Sequence, residues 1–194
     1  KTATPSRLIR RLKAKACKAD DLHLCSPLPI FRVSNKLIGG SAMSINALQA
    51  AKLACSASGW SLTNLQLQKI LYIAHMLYAG RHGGKLIDDE AFEAWGYGPV
   101  LPSVYRKVSA FGNRPIKNVF HRVPDVEDGS IEKKIVLDAV ERLSRMSPFR
   151  LVEITHEPGS AWHRNYHPGA MGIDIPQNDV IAEYHNRFSN ATGT

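Results

Sequence analysis

The chain has 194 residues, 44% of them hydrophobic, and a formal net charge of +8. A domain of about 150 residues removes roughly 70% of its unfolded surface from water, so a core of this size needs neither a disulfide nor a metal to hold it. The charge is uneven: residues 1–42 hold nine Lys/Arg and two Asp, a net +7, and everything after them carries +1. A near-neutral domain lacks the clustered cations that displace counterions from a phosphate backbone, which argues against nucleic-acid binding by that part of the chain.

Residues 1–42 read as a basic leader, with Arg7, Arg10, Arg11, Lys13, Lys15 and Lys18 followed by Pro27, Pro29, Gly39 and Gly40 and no repeated apolar period. Ser6 to Ala16 has the pattern of a short basic amphipathic helix, suited to an anionic surface or a transit peptide. The simpler reading, adopted here, makes Met43 the natural start and the leader upstream or disordered sequence. The domain is then expected over residues 43–190. Cys17, Cys25 and Cys55 are odd in number and lack metal-type spacing, as expected of free cytoplasmic thiols. No stretch reaches the roughly 20 apolar residues of a membrane span. The best run, Ile70 to Ala79, is interrupted by His75.

Ser44 is expected to cap a helix to about Ala57, with Ile45, Leu48 and Cys55 on one face, and Gly59 to break it. Thr63-Asn64-Leu65-Gln66 matches a capping box, in which the hydroxyl and the amide satisfy each other's orphan backbone N–H groups. The helix it opens should run from Asn64 to Ala79 and form the centre of the core, since Leu67, Ile70, Leu71, Ala74, Leu77 and Tyr78 alternate at three and four. Gly80, Gly83 and Gly84 are expected to end it. Lys85 to Pro99 reads as a brief strand or helical turn, and Gly98-Pro99 restricts the backbone there. Pro102 sits near the start of a helix expected from Ser103 to Phe111, Gly112 follows where a left-handed cap is needed, and Asn113 to Val126 reads as an exposed connector. Ser130 caps a helix to about Met146, and Ser147-Pro148 opens another to Thr155. Ala161 to Tyr166 makes a turn or two ended by Pro168, and Asn178 to Phe188 forms the last helix, with Val180, Ile181, Tyr184 and Phe188 on one face. The fold class is mainly α, a compact multi-helix domain with a minor β or extended segment.

Three groups of residues invite chemistry. His156, His163 and His167 bring two histidines four apart, a metal-binding spacing, but Pro168 and Gly169 end the helix there and no Cys or placed carboxylate completes a set. Hydrogen-bonded or solvated histidines are the plainer reading. Asp88, Asp89 and Glu90 have the makings of a Mg²⁺ or acid–base cluster, yet adjacent acids in a loop more often solvate that loop. Gly96-Tyr97-Gly98 runs straight into Pro99, so no dinucleotide-binding glycine pattern is present, and no nucleophile elbow or phosphate loop occurs in the sequence. Trp95, Tyr97 and Trp162 serve either as wedges between helices or as an interface, because large aromatics dominate both settings.

Three clusters, taken in order, carry a resemblance. They are Leu62-Thr63-Asn64-Leu65-Gln66-Leu67-Gln68-Lys69-Ile70-Leu71-Tyr72, then Glu93-Ala94-Trp95-Gly96-Tyr97-Gly98-Pro99-Val100, then Thr155-His156 followed by Trp162. Their order and spacing over roughly Met43 to Phe188 resemble the Panacea domain, the SocA-like or GepA-like phage-associated antitoxins. The resemblance implies a non-catalytic cytoplasmic interaction domain with no cofactor and no bound metal. Such a domain neutralises a cognate toxin by binding it, and in the SocA-like branch delivers the toxin to a protease; a protease or chaperone is therefore a further expected partner. It also implies that Thr63, Leu67, Lys69, Leu71, Tyr72, Gly98, Thr155 and His156 are structural motif positions. The Thr155-His156 pair would link a helix end to the turn near Trp95, and Trp95, Tyr97, Pro99 and Trp162 are the candidate partner-binding residues. Two departures stand out: the leader has no family counterpart, and no fused helix-turn-helix is evident. The alternatives are a small metal-dependent hydrolase using His156 and His163, and a DNA-binding regulator acting through the basic leader.

Removing residues 1–42 is expected to leave the unfolding midpoint unchanged. A loss above about 2 kcal/mol in denaturant titration would mean that the leader packs on the core, since ordinary surface changes stay within about 0.5.

Overall fold

The computed structural model describes residues 44–117 and 119–188; the expected leader lies outside the described residues. Seven α-helices and one two-stranded hairpin make up the described fold, which is mainly α as the pattern predicts. In chain order they are α1 (Ala47–Ala57), α2 (Asn64–His82), β1 (Glu93–Trp95), β2 (Gly98–Val100), α3 (Pro102–Val108), α4 (Ile131–Leu143), α5 (Pro148–Thr155), α6 (Ala161–Asn165) and α7 (Gln177–Phe188). A 3₁₀ turn over Ser109–Phe111 extends α3. Among the described residues no helix is long and apolar enough to cross a membrane.

Helix α2 is the axis of the molecule. Thr63 caps it, its side chain accepting from the Gln66 N–H while the Gln66 side chain accepts from the Thr63 N–H, so the capping box is present as read. From Gln66 to Ala79 every residue is buried, which places neighbours on all sides of the helix rather than along one stripe. The helix also runs three residues past its expected end, through Gly80 to a left-handed cap at Gly83. Gly80 stays inside because α7 crosses there: a Cβ on Gly80 would fall 2.0 Å from the Tyr184 Cγ. The glycine is thus needed for close approach of two helices and not for a turn.

Two further expectations are corrected. The cap of α1 is Asn46, which forms its own capping box with Gln49, while Ser44 instead donates its hydroxyl to Asp88. The buried face of α1 is Ala47, Ala50, Ala51, Ala54 and Cys55, small side chains that let α1 lie close to α2 and α4. The 113–126 connector is not simply exposed: Ile116 and Phe120 are fully buried and Val126 nearly so, with Phe120 stacked on Trp60 at 6.4 Å. Trp60 itself holds a positive φ of 59°, fixed by its N–H bond to the Cys55 carbonyl at 2.8 Å.

Of the two readings of Lys85 to Pro99, the brief strand is the one observed, and it forms one arm of a hairpin. Glu93, Ala94 and Trp95 pair antiparallel with Val100, Pro99 and Gly98, leaving Gly96 and Tyr97 as a two-residue loop. The segment 173–175 runs beside β1, with Ala94 N–H donating to the Ile173 carbonyl and Ile175 N–H to that of Phe92. The acidic run has a structural use. Asp89 accepts from the N–H of Ala47 at the start of α1, and Glu90 accepts from the Ser103 N–H and hydroxyl at the start of α3. Carboxylates at helix N-termini are favourable on both hydrogen-bonding and dipole grounds.

Gly80→Ala tests the crossing. Alanine ordinarily favours a helix over glycine by about 1 kcal/mol. Here it is expected to destabilise by about 1–3 kcal/mol through overpacking. The Tyr184 Cγ is anchored one bond from its own Cβ and cannot swing clear. Denaturant unfolding of Gly80→Ala, and of the same change in a Tyr184→Ala background, should show the penalty only when Tyr184 is present.

Candidate functional site

The three recognisable clusters converge on the hairpin. Its loop rests on α2, on the C-terminal end of α5 and on α6. Lys69 of α2 is fully buried and donates from Nζ to the Pro99 carbonyl at 2.8 Å, and Gln68 accepts from the Leu101 N–H at 2.8 Å. Thr155 meets the same turn beside Lys69. A Cβ on Gly98 would stand 2.8 Å from Lys69 Cε, 2.9 Å from Nζ and 3.0 Å from Thr155 Oγ1. Gly98 also has φ +98°, so both space and backbone require glycine there. The Thr155 hydroxyl is turned back into its helix, toward the Leu151 and Val152 carbonyls, and the Thr155 carbonyl accepts from the Ser160 hydroxyl.

Beyond Thr155, an aromatic stack closes the arrangement. The His156 ring lies on Trp162 at 3.5 Å and 8°, and Trp162 lies on Tyr166 at 4.7 Å and 18°. The Trp162 indole N–H donates to the Trp95 carbonyl at 2.7 Å, tying the stack to the hairpin. The Trp95 indole donates to Glu93 at 2.7 Å, and its ring meets Tyr105 of α3 edge-on at 4.8 Å. The structure therefore gathers Trp95, Pro99, Gly98, Trp162, Lys69, Thr155 and His156 around one turn. Their exposure divides them: Pro99 and Trp162 are buried, Trp95 is half-buried, and Tyr97 stands 63% exposed. Leu67, Leu71 and Tyr72 are fully buried in α2, Leu67 and Leu71 as apolar core, while the Tyr72 hydroxyl donates to Glu183 at 2.6 Å.

Electrostatics at the site favour neutral groups. Burial holds the Lys69 amine well below its ordinary pKa, and among the described residues no carboxylate pairs with it. His156 is lowered to about 4, first by burial and then by the Lys69 amine, with the Tyr97 backbone opposing and His163 adding a smaller push down. Its Nε2 is buried without a hydrogen-bond partner. His75, elsewhere on α2, is also lowered to about 4 by burial. Its Nδ1 accepts from the Ile87 N–H at 3.3 Å, which leaves the Nε2 proton for Gln177 Oε1 at 2.9 Å.

The histidines nominated for a metal are not gathered. His163 and His167 are exposed, His167 Nδ1 meets the Asn165 carbonyl at 3.0 Å, and His156 is held against indole. Among the described residues no three His, Cys, Asp or Glu side chains come together as a metal would require. Cys55 is buried and its thiol is pushed up to about 12, so it is not a thiolate near neutral pH.

Sequence reasoning missed Glu183. This carboxylate is nearly fully buried, accepts from Tyr72 and from the Ala161 N–H at 2.8 Å, and pairs with Arg187 at 2.7 Å. Arg187 in turn donates to the Ile154 carbonyl at 2.7 Å, so α7 is tied to α2, α5 and α6 just behind the aromatic stack. The i,i+4 spacing of Glu183 and Arg187 was the available signal, and it reads equally well as a solvated surface pair.

The site is thus a buried set of polar groups beneath one exposed aromatic, Tyr97, on a fixed turn. The Antitoxin SocA-like, Panacea domain family profile matches residues 67–163. This span contains Lys69, the hairpin, Thr155-His156 and Trp162. The chain is 36% identical over 142 residues to Antitoxin SocA of Caulobacter vibrioides (strain NA1000 / CB15N), covering 68% of this chain and 75% of that protein. No solved structure matches. The chain belongs to the Antitoxin SocA-like, Panacea domain family, and that membership supports an antitoxin role.

The buried neutral histidines predict the pH response. Their folded pKa values, near 4, lie below the ordinary 6.5, so between those values the unfolded chain binds more protons than the folded one. Stability is therefore fully present above the unfolded value and falls as pH drops from 6.5 toward 4, by on the order of 1–3 kcal/mol per histidine. Denaturant midpoints measured across that range should fall with pH, and His75→Gln should flatten the slope.

Proposed function

We propose that this chain is a non-catalytic antitoxin that neutralises a cognate toxin protein by direct, stoichiometric binding through the face around Tyr97. The observation that carries the reading is the contrast within one turn. Tyr97 is 63% exposed between a half-buried Trp95 and a buried Gly98-Pro99, so a large aromatic is held out on a backbone that cannot easily follow it back. Tyr and Trp anchors dominate protein interfaces because they contribute large contact area for little conformational entropy. The neighbourhood extends the surface. Tyr105, which meets Trp95, is 37% exposed, and Met171, 80% exposed, lies just before the segment that pairs with β1. Methionine beside aromatics makes an adaptable apolar surface. Pro99 and Trp162 act beneath this face by fixing the hairpin.

Co-expression with the protein encoded by the neighbouring reading frame is the test. Growth arrested by that protein should be rescued in proportion to the amount of this chain. Tyr97→Ala should weaken rescue by at least tenfold in the dose required, with far-UV helicity unchanged, since an interface anchor contributes more than about 1 kcal/mol. Rescue at catalytic amounts, or its loss on chelation without unfolding, would replace binding by an enzymatic reading. A drop in toxin abundance that depends on a host protease or chaperone would add targeted degradation to the binding step.

A further inference from the structure

Lys69 is costly where it stands. A lysine amine removed from water needs a carboxylate partner or must give up its proton, and a methionine or leucine would fill the same space without that penalty. Among the described residues its one hydrogen bond goes not to another helix but to the carbonyl of Pro99, two residues after Tyr97. The same amine, with Thr155 Oγ1, occupies the volume that any side chain at position 98 would need. Tyr97 is thus followed by two residues that are both seated on Lys69, one through its carbonyl and one through its missing Cβ. The His156 ring also hydrogen-bonds to the Tyr97 backbone, while its Nε2 is buried without a partner, so the histidine bears on the same turn.

We propose that Lys69, Gly98 and Thr155 form a latch that sets the position of Tyr97, making Lys69 a positioning residue for partner binding rather than a stabiliser of the core. This rests on the reading of Tyr97 as a toxin-binding residue, but the latch itself is a property of the free protein. Two features of the geometry separate it from ordinary packing. Among the described residues the donor bonds only the turn, so removing it frees the turn while leaving the helix contacts of α2 in place. Gly98 packs directly on the same amine, so a Cβ there disturbs the same seat while the amine is retained.

Hydrogen exchange of the hairpin amides, measured on the full chain without partner, reads the latch directly. In Lys69→Met the amides of residues 94–101 should exchange at least tenfold faster while those in the middle of α2 and α4 do not change. The unfolding midpoint should stay the same or rise. Gly98→Ala should loosen the same amides and serves as the second variant if Lys69→Met fails to fold. In rescue of growth from the neighbouring reading frame's product, Lys69→Met should raise the required dose at least tenfold despite its intact stability. Unchanged hairpin exchange in both variants would overturn the latch. Acceleration of all amides together with a fallen midpoint would also overturn it, assigning Lys69 to the core. If the hairpin loosens but Tyr97→Ala leaves rescue intact, the fault lies with the binding face and the positioning role falls with it, whereas a failed latch leaves the effect of Tyr97→Ala on rescue untouched.

Discussion

Burial of α2 on every side is the constraint on which the rest of the structure depends. A helix with one solvated face can turn its polar side chains toward water; α2 cannot, and it carries Gln66, Gln68, Lys69, Tyr72, His75 and Tyr78. Each must find a partner in the element packed against it, because an unpaired polar group inside a protein costs more than a made bond returns. Gln66 donates to the Met146 carbonyl after α4, Gln68 accepts from Leu101 before α3, and Lys69 holds the hairpin. Tyr72 reaches Glu183 of α7, His75 reaches Gln177 at the start of the same helix, and Tyr78 reaches Glu132 of α4 at 2.7 Å. Apolar contacts alone tolerate sliding and rotation. These six bonds fix the register of the hairpin and of the three helices α3, α4 and α7 against one axis, and the turn that carries Tyr97 inherits its position from that register.

Much of this was legible from local chemistry. Capping residues, prolines at helix starts and apolar periodicity located all seven helices to within a few residues, because those signals act within one turn of the chain. The misread boundaries share a cause. Ser44 and Asn46 are both good caps, and only the Gln49 that answers Asn46 three residues later decides between them. Gly80 reads as a stop unless the aromatic ring of Tyr184 is known to cross there, and Tyr184 lies about a hundred positions away. Phe120 and Ile116 sit in a segment with no period, so their burial comes wholly from tertiary contacts.

The site was legible only as a set of residues. Spacing and family resemblance picked out Trp95, Tyr97, Pro99, Trp162, Thr155, His156 and Lys69, and the structure brings all seven to one turn. Their division of labour lay beyond the sequence. Trp162 and Tyr97 are both large aromatics near a proline or glycine, yet one is sandwiched between His156 and Tyr166 and the other stands in solvent. That difference is decided by a bond from the Trp162 indole to a backbone carbonyl 67 residues earlier. Glu183 escaped for the converse reason: its ion pair with Arg187 is the commonest of surface patterns, and only the meeting of four helices turns it into a buried junction.

The physical consequence is a division between a dry support and a wet tip. Beneath the turn, burial disfavours the charged forms of Lys69 and His156, and the Thr155 hydroxyl bonds within its own helix. Above it, one tyrosine offers a flat apolar face and a polar end. If Tyr97 is the binding tip as proposed, binding through it would lose little conformational entropy, because the backbone that carries it is fixed by the bonds beneath and its side chain has only two free torsions. Area then matters less than position, and a small exposed face suffices for a specific partner provided the seat beneath it does not move. The side chains of Tyr105 and Met171 make none of the six polar bonds that α2 sends to its neighbours, so changes there leave those bonds in place.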